Sequence, residues 1–222
     1  MIEMRNKKWI IGLAAIVLLA IVFLVFKPGK NQIKSVTIGD QIWMVENLNV
    51  TQFANGDKIP EAATAEEWQK AGELGEPAWC IYESDPENGE IYGKLYNWYA
   101  VTDPRGLAPK GWHVPDNEEW AALTFYLGGE EVAGSKLKET GIDHWRAPNS
   151  AATNEFGFTA LPGGYRTHLG TFKVLGDYAG WWSSTEYSTT LASSRDINHG
   201  YNVIGRYIDS KPAGFSVRCL KN

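Results

Sequence analysis

The strongest constraint in this sequence is an unbroken apolar run over residues 9–26. Eighteen apolar residues in helical form span roughly 27 Å, close to the thickness of a hydrocarbon core. The run has no polar face, which argues against a buried helix of a globular core. We therefore predict a transmembrane signal anchor over 9–26, preceded by a cytoplasmic tail over 1–8 and followed by a linker over 27–35.

The residues that follow the run favour an uncleaved anchor. A signal peptide needs small residues before its cleavage site, and Val25, Phe26 and Lys27 offer none, although cleavage remains the alternative interpretation. Basic residues flank the run almost equally, so the positive-inside rule barely decides the orientation. Because a long domain translocates largely regardless of flanking charge, we expect residues 36–222 outside the membrane, in the periplasm or at the cell surface.

The charge of the domain limits its partners. Five of the 21 basic residues and one of the 26 acidic residues precede position 31, so 16 basic and 25 acidic residues remain, a net charge of −9. A domain this acidic is not expected to bind nucleic acid or an anionic lipid surface through bulk electrostatics. The expected partners are the membrane, through residues 9–26, and a glycan or an envelope protein.

Helix-capping signals are the clearest local patterns. Asp116 with Glu119 forms a capping box ahead of apolar residues on one face, and Gly128 ends that helix. Thr64 predicts a shorter helix over 65–72 in the same way. The remaining predicted elements are a hairpin over 36–45, helices over 92–101 and 130–139, a turn over 85–89, and strands over 156–159, 201–208 and 215–219. The pattern indicates an α+β domain whose sheet is mostly antiparallel.

Two cysteines, Cys80 and Cys219, leave two interpretations open. An even pair in an outward-facing domain favours a disulfide bond. That bond would close a loop of about 140 residues and stabilise the fold by several kcal/mol. The alternative is two unrelated buried thiols.

The domain is rich in tryptophan, and the bulk of an indole suits either a core or a sugar-stacking platform. We expect most of these side chains to fill the core. They are Trp43, Trp68, Trp79, Trp98, Trp112, Trp120, Trp145, Trp181 and Trp182.

Seven segments occur in an order that resembles the Fibrobacter succinogenes major paralogous domain family over roughly residues 36–221. They are IWMVENLN at 42–49, YGKLYNWYAV at 92–101, GWHVP at 111–115, EW at 119–120, LPGGYR at 161–166, WWSSTE at 181–186 and GFSVRC at 214–219. Each segment is a weak signal by itself, whereas all seven in this order are specific.

The resemblance implies a bacterial surface or secreted protein, although the lipobox cysteine found in many members is missing here. It also implies a C-type-lectin-like fold, shared with formylglycine-generating enzymes, in which the two chain ends meet in one sheet. Such a layout would bring Cys80 to Cys219 in the last strand. The resemblance therefore implies a Cys80–Cys219 disulfide bond.

Enzymatic signals are weak. The sequence has no GxSxG nucleophile elbow, and formylglycine chemistry would need a late pair of cysteines, of which Cys219 alone is present. The four histidines lack metal-ligand spacing, and no calcium-loop motif occurs. We predict no catalytic residue, no cofactor and no metal site, with a single structural calcium in a loop as the open alternative. Two of the many carboxylates could face each other by chance, which leaves a hydrolase of an extracellular polymer as an alternative.

The stretch 163–207 is the candidate recognition face, because late loops and strands are exposed in lectin-like folds. Its aromatic and arginine side chains suit contact with sugars or proteins, although each could instead serve the core or solubility. The candidate ligand-binding residues are Tyr165, Arg166, His168, Trp182, Tyr187, Arg195, His199, Tyr201 and Arg206. We predict a membrane-anchored, non-catalytic binding module outside the membrane for glycan, envelope or protein partners, with a structural envelope component as a further alternative.

Overall fold

The computed structural model describes residues 33–222, which combine short helices with antiparallel sheets. The predicted anchor over 9–26 and the tail over 1–8 lie outside the described residues, as does most of the linker over 27–35. Between residues 33 and 222, no helix has the length and apolarity that crossing a bilayer would require.

Five α-helices occur in this part of the chain, and both predicted capping boxes are present. Thr64 accepts from the amide of Glu67, and the Asp116 side chain accepts from the amide of Glu119, with the reciprocal bond formed in both cases. These caps satisfy amide groups that would otherwise lack partners at the helix start. The helices are α1 Ala65–Leu74, α2 Pro86–Tyr92, α3 Trp98–Val101, α4 Asn117–Tyr126 and α5 Glu130–Leu137.

The predicted helix over 92–101 is wrong in its boundaries. Asp85 caps α2, so that helix begins within the predicted turn and ends at Tyr92. Gly93 then adopts a φ of 77°, and a Cβ there would lie 3.0 Å from the carbonyl oxygen of Leu48. This close approach of two backbones ends the helix and sends the chain into a short strand before α3 begins.

Eleven strands are present between residues 33 and 222. They are β1 Ser35–Ile38, β2 Gln41–Met44, β3 Trp79–Cys80, β4 Leu95–Tyr96, β5 Trp112–His113, β6 Tyr165–Arg166, β7 Phe172–Lys173, β8 Tyr178–Glu186, β9 Leu191–Asn198, β10 Ile204–Ser210 and β11 Leu220–Lys221. One sheet has the order β1-β2-β11-β5, so the first and last strands of the described chain share it. A second sheet has the order β10-β9-β8, and two strand pairs, β3-β4 and β6-β7, complete the set.

The β10-β9-β8 sheet separates two core clusters. Trp181 pairs with Arg195, and Arg195 with Arg206, so these three residues lie on one face of the sheet. That face packs on α4 and α5, together with Trp120 and other buried apolar residues. The opposite face carries Trp182 and packs into the other large cluster. The long strands β8 and β9 were not predicted, because their central residues are buried on both faces and lack the alternation expected of a half-exposed strand.

Most tryptophans lie in the core, as predicted. Eight of the nine in the domain are buried, and Trp112 is partly exposed. Trp43 and Trp120 pack with ring centroids 4.7 Å apart, and Trp120 and Trp181 at 5.9 Å. Their packing leaves these indoles no free face for stacking on a sugar.

The predicted Cys80–Cys219 disulfide is wrong, because both cysteines are free thiols. Cys80 lies in β3 beside Leu95 and belongs to a small cluster with Trp68 and Tyr82. Cys219 precedes β11 in the four-stranded sheet and belongs to a different cluster. Two cysteines in the same domain do not form a disulfide bond unless their Cα atoms lie about 4.4–6.8 Å apart.

We expect the free thiols to be visible by mass spectrometry. Alkylation in denaturant should label both cysteines whether or not a reductant was added first. In the folded chain, labelling should be slow, because burial raises the pKa of Cys80 and of Cys219 to about 12. Labelling in denaturant that depends on prior reduction would contradict the two free thiols.

Candidate anion-binding pocket

A cavity of about 330 Å³ opens where α4 and α5 meet the β9–β10 hairpin. We call it the arginine pocket because two of the predicted ligand-binding residues, Arg195 and Arg206, line it. The other lining residues include Ala121, Thr124, Phe125, Glu130 and Ile204. The cavity is large enough for one sugar ring or a group of similar size.

Arg195 is the feature that makes this cavity unusual. Its side chain projects from β9 beneath the helices, and the residue is only 4% exposed. Its hydrogen bonds are two long ones of 3.3 Å, to the carbonyl oxygens of Ser194 and Asn117. Among residues 33–222, no carboxylate lies within 4.0 Å of its guanidinium. A guanidinium offers five N–H donors, so a buried cation here retains unused donors.

Arg206 strengthens the positive charge of the pocket. It stands directly across from Arg195 in the β9–β10 register and is exposed to solvent. Burial lowers the pKa of Arg195 to about 10, and the charge of Arg206 acts in the same direction. Like charges opposite each other weaken a strand pair. An anion bound between the two guanidinium groups would relieve both the desolvation and the repulsion.

Most of the other lining residues of the pocket are apolar. Phe125 of α4 is 85% exposed, which is the highest exposure of any large apolar side chain between residues 33 and 222. Glu130, at the start of α5, contributes the pocket's one carboxylate and partly offsets the positive charge near Arg195. The pocket thus offers a small anionic group two neighbouring guanidinium groups and an aromatic surface, and Glu130 can accept a hydrogen bond from it.

Sequence reasoning missed Phe125 and Glu130 because both lie on the helices before residue 163. A signal for Phe125 was nevertheless present. The buried residues of α4 include Trp120, Leu123 and Thr124. An aromatic residue directly after them must turn outward at 100° per residue, so the helix period places Phe125 on the solvent side.

The nine predicted ligand-binding residues lie in different environments. Arg166 is buried and donates to the carbonyl oxygens of Ala62, Ala63 and Gly170, at 2.6, 3.1 and 3.0 Å. Its guanidinium also stacks 4.9 Å from the Trp68 ring. Every one of these partners belongs to the domain, so Arg166 joins loops together and has no open side towards a ligand.

Trp182 is likewise fully buried, and its indole donates to the carbonyl oxygen of Tyr96 at 2.8 Å. Tyr165 packs beside Tyr178 on the same side of the β10-β9-β8 sheet as Trp182. His199 is half-buried, with Nε2 4.0 Å from Asp177. None of these three lines the arginine pocket.

The last three predicted residues are exposed at separate places. His168 lines a shallow cavity of about 160 Å³ beside α1. Tyr187 lies between β8 and β9, and Tyr201 in the β9–β10 turn. Only Arg195 and Arg206 of the nine therefore converge on one cavity.

A larger groove of about 410 Å³ runs between residues 49–54 and 107–110. Its one charged lining residue is Lys110, which is exposed and therefore already solvated. The groove lacks a buried group that needs a ligand, so the arginine pocket is the stronger candidate.

Two carboxylates occupy the opposite face of the β9–β10 hairpin. Burial raises the pKa of Asp196 to about 6, and the negative charge of Asp209 adds to the effect. Burial also raises the pKa of Asp209, whose carboxylate accepts from the Ser194 hydroxyl at 2.6 Å. Gly205 makes room for Asp196, since a Cβ at position 205 would lie 2.1 Å from its carboxylate oxygen. The sheet therefore carries two arginines on one face and, on the other, two carboxyl groups whose pKa values are raised by burial.

The chain matches a known protein family over most of its length. Residues 36–221 match the family model described as the Fibrobacter succinogenes major domain. The chain belongs to this family. No curated protein and no solved structure matches the chain. The arginine pocket lies wholly within the segment that matches the family.

Proposed function

We propose that the domain is a non-catalytic binding module, displayed outside the membrane by an anchor at residues 9–26, that recognises the acidic groups of an envelope glycan. The observation that carries this proposal is the buried Arg195, which lies beside Arg206 in the cavity lining and has no carboxylate within 4.0 Å among residues 33–222. A planar carboxylate can accept two parallel hydrogen bonds from one guanidinium group. Phe125 offers a surface for the apolar face of a sugar ring.

The charge of the domain sharpens the proposed specificity. A domain with a net charge of −9 repels polyanions at long range, so affinity for an acidic ligand has to come from contacts inside the pocket. At physiological ionic strength the repulsion decays over about 8 Å, which lets a local pair of arginines act. We therefore propose selective binding of spaced carboxylates, as in uronic acid polymers, over densely charged polyanions.

A C-type-lectin-like fold is part of the proposal. Its support is the four-stranded sheet, in which β1 and β11 bring both ends of the described chain together. The long strands β8, β9 and β10 near the end of the chain would then form the recognition side. In that arrangement the arginine pocket lies at the junction of this late sheet with α4 and α5.

The test is binding of the 222-residue chain, in detergent, to polygalacturonate and alginate, with neutral cellulose and xylan for comparison. We expect the acidic polymers to bind and the neutral ones not to bind. Replacing Arg195 by methionine should weaken binding by roughly 10–100-fold, because a charge-assisted hydrogen-bonding group is lost. Methionine fills similar volume without a charge, so the free energy of unfolding should be kept or raised.

Two further variants separate the pocket from general charge effects. Arg206→Met should weaken binding as well, and by less, since Arg206 is solvated. Arg146→Met removes a cation whose side chain is 66% exposed and which lies away from the pocket, so it is the matched control and should bind as the wild type does. Equal binding of neutral and acidic polymers, or full binding by Arg195→Met, would refute the proposal.

A hydrolase is the second candidate, and Asp196 with Asp209 is the observation that favours it. Glycoside hydrolysis uses a general acid with a raised pKa together with a second carboxylate that stays ionised, and Asp196, whose pKa is raised to about 6 beside Asp209, has the property of the acid. Release of reducing ends from the same polymers on long incubation, lost in Asp196→Asn, would favour this candidate. Binding without any release would favour the binding module.

A further inference from the structure

Lys138 is an ammonium enclosed by backbone carbonyl groups. It follows α5 and is fully buried. Its Nζ lies 2.9 Å from the carbonyl oxygens of Ser150 and Tyr201, 3.3 Å from that of Asn198 and 3.5 Å from that of His199. Four acceptors surround a group with three N–H donors, so the arrangement resembles coordination of a cation more than a set of paired hydrogen bonds.

The charge of this ammonium is compensated mainly by the dipoles of the carbonyl groups. Between residues 33 and 222, no carboxylate lies within 4.0 Å of Nζ. Burial lowers the pKa of Lys138 to about 8, so the side chain still carries its charge at neutral pH. The Trp145 ring, with its centroid 5.8 Å away, adds a weak attraction for a cation. Rings of backbone carbonyls without acidic groups are the type of site that holds potassium in channels.

The carbonyl groups are held in place by bonds that do not involve the lysine side chain. The amide of Ser150 donates to the carbonyl oxygen of His199 at 2.7 Å, and the amide of His199 donates to that of Asp177 at 2.9 Å. The side-chain amide of the neighbouring Asn149 donates to two further carbonyls, at 2.7 and 2.8 Å. The cage should therefore keep its shape when the lysine side chain is shortened.

We propose that this cage is a binding site for a monovalent cation of the size of ammonium or potassium, which Lys138 fills with its own ammonium group. The tethered cation joins α5 to the loop at Ser150 and to the turn between β9 and β10. That turn leads directly into the strand that carries Arg206. The inference does not depend on the proposed function, because it concerns how α5 is held to the β9–β10 hairpin and not which ligand the arginine pocket binds.

The experiment removes the tether and supplies the cation from solution. Lys138→Ala is unfolded thermally in chloride salts of choline, potassium, ammonium and methylammonium at equal ionic strength. In choline we expect the unfolding midpoint to fall by roughly 5–10 °C, because buried carbonyl acceptors lose their partner. Potassium, ammonium or methylammonium should restore part of this loss in a saturable way, because a ligand of the folded state stabilises it by mass action.

Lys138→Met is the matched control, since its side chain fills the space without a charge. Its midpoint should be low and equal in all four salts, and the wild-type midpoint should be high and equal in all four. A response of Lys138→Ala no larger than that of Lys138→Met would overturn the proposal. If Lys138→Ala does not fold in choline, refolding yields replace the midpoint: recovery with the small cations supports the site, and failure in every salt overturns it.

Discussion

Replacing Arg218 by methionine is expected to destabilise the domain by about 3–5 kcal/mol, because buried acceptors are left without a donor. The guanidinium is buried and donates to the carbonyl oxygens of Val45 and Phe158 at 2.6 and 2.7 Å. It also donates twice to the Asn47 side chain, at 2.8 and 3.0 Å, and stacks 4.5 Å from the Phe158 ring. These contacts tie β2 and the segment after it to the end of the chain.

The measurement is the free energy of unfolding from denaturant titration at neutral pH. Lys221→Met is the control, because it removes an exposed cation three residues further on and should change stability by less than about 0.5 kcal/mol. Asn47→Leu removes the acceptor shared by Arg218 and the Trp181 indole. Its effect should not add to that of Arg218→Met, since both remove the same network. A loss below about 1 kcal/mol for Arg218→Met would contradict this role.

Replacing Asp196 by asparagine is expected to stabilise the domain at pH 7 by about 1–2 kcal/mol, after allowance for solvent screening. The folded-state pKa of Asp196, about 6, lies above the unfolded value of about 3.9. The folded state therefore holds the proton more tightly, and stability falls as the pH rises through this interval. Asparagine is neutral at every pH, so the variant avoids the cost of ionising a buried carboxyl group.

The measurement is the free energy of unfolding at intervals between pH 4 and pH 8. The difference between Asp196→Asn and the wild type should be small at pH 4 and grow until about pH 7. Part of the pH dependence should persist in the variant, because burial also raises the pKa of Asp209. Asp143→Asn changes an exposed carboxyl group and should leave the wild-type pH profile unaltered. A constant offset at all pH values would show that Asp196 is not the titrating group.

Local chemistry made several parts of the fold predictable. The capping boxes at Thr64 and Asp116 need only residues three positions apart, and both helices start where they predict. The family was also predictable, because its motifs are short and occur in a set order. The boundary at Gly93 was not, since the helix ends there through contact with a backbone 45 residues earlier.

The candidate site shows the same division. Arginine and aromatic residues in 163–207 predicted a recognition face, yet Arg166 and Arg195 look alike in sequence. Arg166 donates to three carbonyl oxygens inside the domain. Arg195 makes only two long hydrogen bonds of 3.3 Å and lines a cavity. Which arginine remains available for a ligand depends on loops and helices that are remote in the chain.

By itself, the sequence determined the α+β class, the family, the capped helices and the acidic character of the domain, because these follow from neighbouring residues or from composition. The tertiary structure decided that Cys80 and Cys219 lie in different clusters and that Lys138 has a carbonyl cage. It also decided that Phe125 lines the same cavity as Arg195 and Arg206. The physical reason is that burial and hydrogen-bond partners are properties of packing between distant segments, which a residue's own neighbours do not encode.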